Sequence, residues 1–201
     1  MRIYVSIIII GLAFIGAILP ERNTSRGELK PEEVLDIALS GEQYFTVDEV
    51  ARMVVQEDTT FLLIDVRSSA DYQECHIPGA LNLPLQDLFN PDWLGYLDQP
   101  AVKKIFYSNG NHYAHEAWIA EIQKGYENSC IMKGGLNEWY RTVMLTEFSG
   151  EKISPGENFK FEIRYKARNH FNKMNSLPDS LRSTFLTIKR SKEAELVGGC
   201  E

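Results

Sequence analysis

FLLIDVRSSADYQECHIPGALNLP, residues 61–84, opens on the five residues that decide the architecture. Phe61, Leu62, Leu63 and Ile64 run on without a polar interruption before Asp65. A strand with one wet face would alternate, so this run is read as a strand buried on both faces. Pro78-Gly79 marks a turn further on. KIFY (104–107) and SCIM (129–132) are two more buried runs. Between them, His115 to Lys124 is read as a helix that offers Ala117, Trp118, Ala120 and Ile122 for packing. LNEWYRTVML, after Gly134-Gly135, gives the next helix. Upstream, Thr46-Val47-Asp48-Glu49 is a capping box, followed by Val50, Met53 and Val54 at helical spacing. Apolar strands alternating with helices predict an α/β fold with a parallel sheet of about five strands flanked by helices. In such sheets ligands sit beyond the carboxyl ends of the strands. Attention therefore falls on the residues after Asp65 and after Tyr107.

Composition narrows the function. The chain has 201 residues, 44% hydrophobic and 24% charged, enough for one compact domain with extensions. The net charge of −7 is uneven: residues 1–150 carry 11 Lys+Arg against 21 Asp+Glu, and residues 151–201 carry 10 against 7. An acidic body argues against nucleic acid as a partner, because binding phosphates needs a dense basic face. Three cysteines without CxxC spacing exclude a disulfide framework and the common zinc sites. No cofactor and no metal is expected.

Each end carries an attachment. IYVSIIIIGLAFIGAIL (3–19) is apolar, with Arg2 ahead of it and ERNTSRGE after Pro20. Small residues are not placed for cleavage at its far edge, which favours a signal anchor over a cleaved signal peptide in residues 1–20. The leading positive charge favours a domain outside the cytoplasm, periplasmic or extracellular, and secreted if the segment is cleaved. Residues 21–42 are read as a linker with a short helix opened by Pro31 and closed by Gly41. Residues 146–201 form a C-terminal extension. There, Phe159, Phe161, Ile163 and Tyr165 alternate with charged neighbours after a Pro-Gly turn, which predicts a half-buried strand running into a short helix toward Met174, followed by a solvated, partner-facing or disordered tail.

Residues 62–84 also carry a family likeness. Asp65-Val66-Arg67, Tyr72, His76-Ile77-Pro78-Gly79-Ala80, Asn82 and Pro84 recur in the order of the rhodanese signature. KIFYSNGNHYAHEAW resembles the active-site strand, loop and helix of that family, and GYENSCIMKGGLNEW its last strand and helix. The segment 43–145 is identified as a member of the rhodanese-like superfamily, and the resemblance implies the rhodanese fold. Asp65 and Arg67 then either contribute to a binding site or fix the strand end by a salt bridge. His76 is read as structural.

The resemblance also implies a chemistry that this loop lacks. Rhodaneses carry sulfane sulfur on a cysteine held as thiolate in a ring of backbone N–H groups at a helix N-terminus. The family loop runs cysteine, two residues, glycine, one residue, arginine. Anchored on Gly110, the cysteine position falls on Tyr107 and the arginine position on His112. The loop reads Tyr107-Ser108-Asn109-Gly110-Asn111-His112. A phenol carries no persulfide, and the related phosphatases of this fold need the same cysteine. Ser108 would need a base such as His112 or His115 to act as a nucleophile. The glycine and asparagines tolerate the backbone of an N–H nest, so Ser108, Asn109, Gly110, Asn111 and His112, with Asp65 and Arg67, form a candidate site for a small anion or sulfur-containing ligand. The leading expectation is a membrane-anchored binding or scaffold module, with an unknown protein partner and no sulfur transfer. The alternative is a sulfurtransferase or thiol-redox protein that uses Cys75 or Cys200. Cys130, inside an apolar strand, is read as inert.

Overall fold

Every strand of the sheet runs parallel, in the spatial order β1-β5-β4-β2-β3. The computed structural model describes residues 27–148, 154–178 and 181. In chain order the elements are helix α1 (Pro31–Ser40), β1 (Tyr44–Phe45), α2 (Val47–Val55), β2 (Phe61–Asp65), α3 (Ser69–Glu74), β3 (Leu81–Asn82), α4 (Leu94–Leu97), β4 (Lys103–Tyr107), α5 (His112–Gln123), β5 (Ser129–Met132), α6 (Gly135–Trp139) and α7 (Pro155–Asn175). A π-helical turn, Tyr140–Met144, continues α6. The apolar segment 3–19 and Cys200 lie outside the described residues. No helix among the described residues is long and apolar enough to cross a membrane.

The three apolar runs form the centre of the sheet. Alternate side chains of β2, β4 and β5 enter two separate cores. Leu63, Ile105, Tyr107 and Met132 join Val47, Val50, Trp139, Ile163 and Ala167 under α2, α6 and α7. Ile64, Phe106 and Ile131 join Val34, Ala117, Trp118 and Ile122 under α1 and α5. Strands covered on both faces have no polar face to show, which is why they read as uninterrupted apolar runs. The capping box at Thr46 is formed: Glu49 donates its N–H to Thr46 Oγ1 at 3.3 Å and accepts the Thr46 N–H at 2.8 Å.

The half-buried strand expected after Ser154 is instead the 21-residue helix α7. Ser154 caps it in a box with Glu157, and Pro155 occupies the first helical position rather than a turn. Its buried residues are Ile163, Ala167 and Met174, a helical spacing that carries one stripe onto the core. Phe159 and Tyr165, half of the apparent alternation, stay exposed. Arg164 pairs both its Nε and Nη2 with the carboxylate of Asp48 in α2, at 2.7 and 2.6 Å. This helix is thus packed into the domain's core and not a solvated appendage.

Candidate functional site

The carboxyl ends of β2 and β4 lie side by side, with Asp65 opposite Tyr107. Asp65 is wholly buried and its charge is answered at once by Arg67. Arg67 Nε donates to both Asp65 oxygens at 3.0 and 3.1 Å, Nη2 donates to Oδ2 at 2.7 Å, and the Arg67 backbone N–H reaches Oδ1 at 3.0 Å. Burial alone would lower the guanidinium's pKa; the hydrogen bonds and charge of Asp65 outweigh it and raise it instead. Arg67 then spends its remaining reach on protein. Nη2 donates to the Cys75 carbonyl at 2.6 Å and Nη1 to Asn109 Oδ1 at 3.2 Å. Asn82 closes the strand end by donating to the carbonyls of Asp65 and Arg67. Asp65 and Arg67 therefore brace the floor of the site through these bonds.

Tyr107 points away from solvent, into the core beneath the loop. It is fully buried, and its phenol oxygen accepts the Ile77 N–H at 3.2 Å. Burial pushes this phenol well above its ordinary range and the nearby Asp65 carboxylate adds to the effect. The first residue beyond the strand is Ser108, itself buried, whose hydroxyl donates to the Gly110 carbonyl at 2.8 Å. The head of the loop is thus Ser108, and Tyr107, the last residue of β4, belongs to the core.

The loop rests on the start of α6. The N–H groups of Leu136 and Asn137 donate to the carbonyls of Ser108 and Asn109 at 2.8 and 2.9 Å. This contact needs a glycine at 135, because a Cβ there would collide with the carbonyl oxygens of Ser108 and Gly110, and φ is +60°. Asn111 Oδ1 accepts the Gly134 N–H at 2.6 Å and leaves the first turn of α5 without a side-chain cap. With its carbonyls turned onto α6, the loop presents the uncapped N-terminus of α5, a partial positive charge suited to an anion or a carbonyl oxygen.

Neither histidine serves Ser108. Exposed His112 pairs with Glu116 at 3.2 Å, and His115 Nε2 meets the Tyr44 hydroxyl at 2.5 Å. The two imidazoles have separate partners, and no group of three metal-ligating side chains occurs among the described residues. His76 is buried, bonded through Nδ1 to the Tyr72 carbonyl at 2.9 Å and stacked on the Tyr72 ring at 3.9 Å. Cys75 is partly exposed at the end of α3, and Cys130 is buried, its thiol pushed up by desolvation. One residue that holds this region went unnoticed in the sequence. Asn175 clasps the His76 backbone, accepting its N–H and donating to its carbonyl, both at 3.0 Å. It sits 99 residues away, in the segment expected to be strand and tail, and no local pattern marks it.

The family model for the rhodanese-like domain matches residues 46–142. A thiosulfate:glutathione sulfurtransferase of Saccharomyces cerevisiae is 29% identical over 111 residues, covering 50% of this chain and 80% of that protein. The human centrosomal protein of 41 kDa is 36% identical over 85 residues, covering 39% of this chain; the chain spans only 23% of that relative's length. Among solved structures, one from Saccharomyces cerevisiae is 28% identical and covers 49% of this chain and 91% of its own, with a TM-score of 0.44. The signature around Asp65 and Arg67, the five-stranded parallel sheet and the family match agree, and residues 46–142 of this chain form a rhodanese-like domain.

Proposed function

We propose that this rhodanese-like domain is a binding or scaffold module that has given up sulfur transfer at its loop. The observation that carries the reading is the chemistry between Tyr107 and His112: no thiol stands there, the tyrosine side chain is core, and the Ser108 hydroxyl is turned back onto Gly110 O. A hydroxyl without a hydrogen-bonded base is a poor nucleophile. What the loop retains is an uncapped helix N-terminus with Asn109, Gly110, Asn111 and His112 at its rim, suited to a small anion, a sulfur-containing ligand or a partner's carbonyl groups. The apolar segment 3–19 supports anchoring to a membrane with the domain outside the cytoplasm. Two assays test these points separately. Thiocyanate release from thiosulfate and cyanide is expected to stay at the uncatalysed rate, and catalysis of it defeats the non-catalytic reading. The full chain is expected to float with phospholipid vesicles and the piece 27–201 to remain behind; equal behaviour defeats the anchor.

A second reading is favoured by the yeast relative's sulfurtransferase activity, as its name states, and by Cys75 at the edge of the site. On that reading Cys75 or Cys200 carries the sulfur. Loss of the thiocyanate signal in Cys75→Ser or Cys200→Ser is its signature.

A further inference from the structure

Three consecutive residues, Cys75, His76 and Ile77, connect the loop to the C-terminal helix. Asn175 of α7 holds the middle one through both its N–H and its carbonyl, in the manner of one rung of a strand pair. The Asn175 amide is itself steadied by donating to the Phe171 carbonyl at 2.8 Å. On one flank the Cys75 carbonyl accepts Arg67 Nη2, and Arg67 Nη1 holds the Asn109 side chain in the loop. On the other flank the Ile77 N–H holds the phenol of Tyr107, the residue that leads into the loop. The same helix also reaches the loop's other support. Arg168 Nη1 donates to the carbonyls of Met144 and Thr146 at 3.3 and 3.1 Å, where the π-helical turn after α6 ends. At its opposite end α6 carries Ser108 and Asn109 through its first N–H groups.

We propose that α7 sets the position of the loop, with Asn175 as the positioning residue. A shift of its C-terminal turn moves the 75–77 backbone and with it Arg67, Asn109 and Tyr107. Contiguous hydrogen bonds, part-buried except the Ile77–Tyr107 one, transmit such a shift. The family match ends at residue 142, so this control belongs to what the chain adds to the domain. Its meaning for a ligand rests on the loop being a binding site; the coupling itself rests only on these bonds.

The test is amide NMR on the full-length protein, which needs neither a ligand nor an activity. Asn175→Ala is expected to displace the backbone resonances of Asn109 and Gly110 and the Nε–H of Arg67, while Leu97 and the Trp118 indole N–H stay in place. Met174→Ala removes a buried side chain next to Asn175 on the same helix. It is expected to lower the thermal midpoint while leaving Asn109 and Gly110 unmoved. Asn175→Asp keeps the acceptor for the His76 N–H and gives a smaller displacement; it decides the matter if the alanine variant does not fold. Unmoved loop resonances in Asn175→Ala, or equal movement in Met174→Ala, overturn the proposal. Neither result bears on whether the loop binds a ligand, so a failure here stays distinct from a failure of that reading.

Discussion

Tyr107 ends beneath the loop, not in it: its phenol oxygen takes the N–H of Ile77 at 3.2 Å inside a fully buried pocket of the core. The residue that ends β4 is part of the packing. Arg67, beside it, is held by Asp65, the Cys75 carbonyl and the Asn109 side chain.

Moving a thiol between neighbouring positions separates the core from the loop. Tyr107→Cys leaves a cavity and is expected to cost about 3–5 kcal/mol, as large aromatic truncations do. Its thiol, facing the core, is expected to take no sulfur from thiosulfate. Ser108→Cys places the thiol at the head of the loop beside the N-terminus of α5, and a persulfide is expected there. Mass spectrometry of both variants reads the difference; sulfur on Cys at 107 and none at 108 reverses the assignment.

The Asp65–Arg67 pair is a brace that tolerates no half. Arg67→Ala strands a buried carboxylate and is expected to cost about 3–5 kcal/mol in urea unfolding. A loss under about 1 kcal/mol, the range of surface pairs, means that solvent reaches Asp65.

α7 offers a test of the fold where the sequence misleads. Ala167 is completely buried against the core, so Ala167→Asp introduces an unpaired charge. A drop of several kcal/mol is expected, roughly 2–4 °C in Tm for each kcal/mol in a protein of this size. Tyr165→Ser, on the exposed side, is expected to change stability by less than about 0.5 kcal/mol. If the two substitutions prove equally mild, the helix is not seated on the core.

Acid sensitivity is built into the cap of α2. The hydroxyl and backbone N–H of Thr46 hold the Glu49 carboxyl below its ordinary value. A carboxyl depressed in the folded state adds stability that is fully present above its unfolded value, about 4.3, and is lost as pH falls through the folded one. Thr46→Ala is expected to cost about 1 kcal/mol at pH 7 and to cost less as pH falls through that range. A cost that is unchanged by acid removes Glu49 from the explanation.

The sequence was most legible where burial was symmetric. β2 and β5 fall on the apolar runs FLLID and SCIM, and β4 begins one residue before KIFY, because strands covered on both faces leave short uninterrupted apolar runs. The helix expected from His115 starts earlier, at His112, since polar Asn111 and His112 give no apolar period to read. Over residues 155–175 the aromatic side chains on the exposed side mimic a period of two and hide the stripe of Ile163, Ala167 and Met174. The loop's letters hold no cysteine between Tyr107 and His112. What Tyr107 does instead depends on Ile77, and what holds His76 depends on Asn175, and contacts made across the fold leave no local trace.

The central claim is that this chain takes up no sulfane sulfur, and intact-mass spectrometry of the reduced, folded chain after thiosulfate tests it most directly. The mass is predicted to stay unchanged. A gain of one sulfur that cyanide removes, mapped to Cys75 or Cys200, would contradict the claim and make this rhodanese-like domain a sulfur carrier with a relocated thiol.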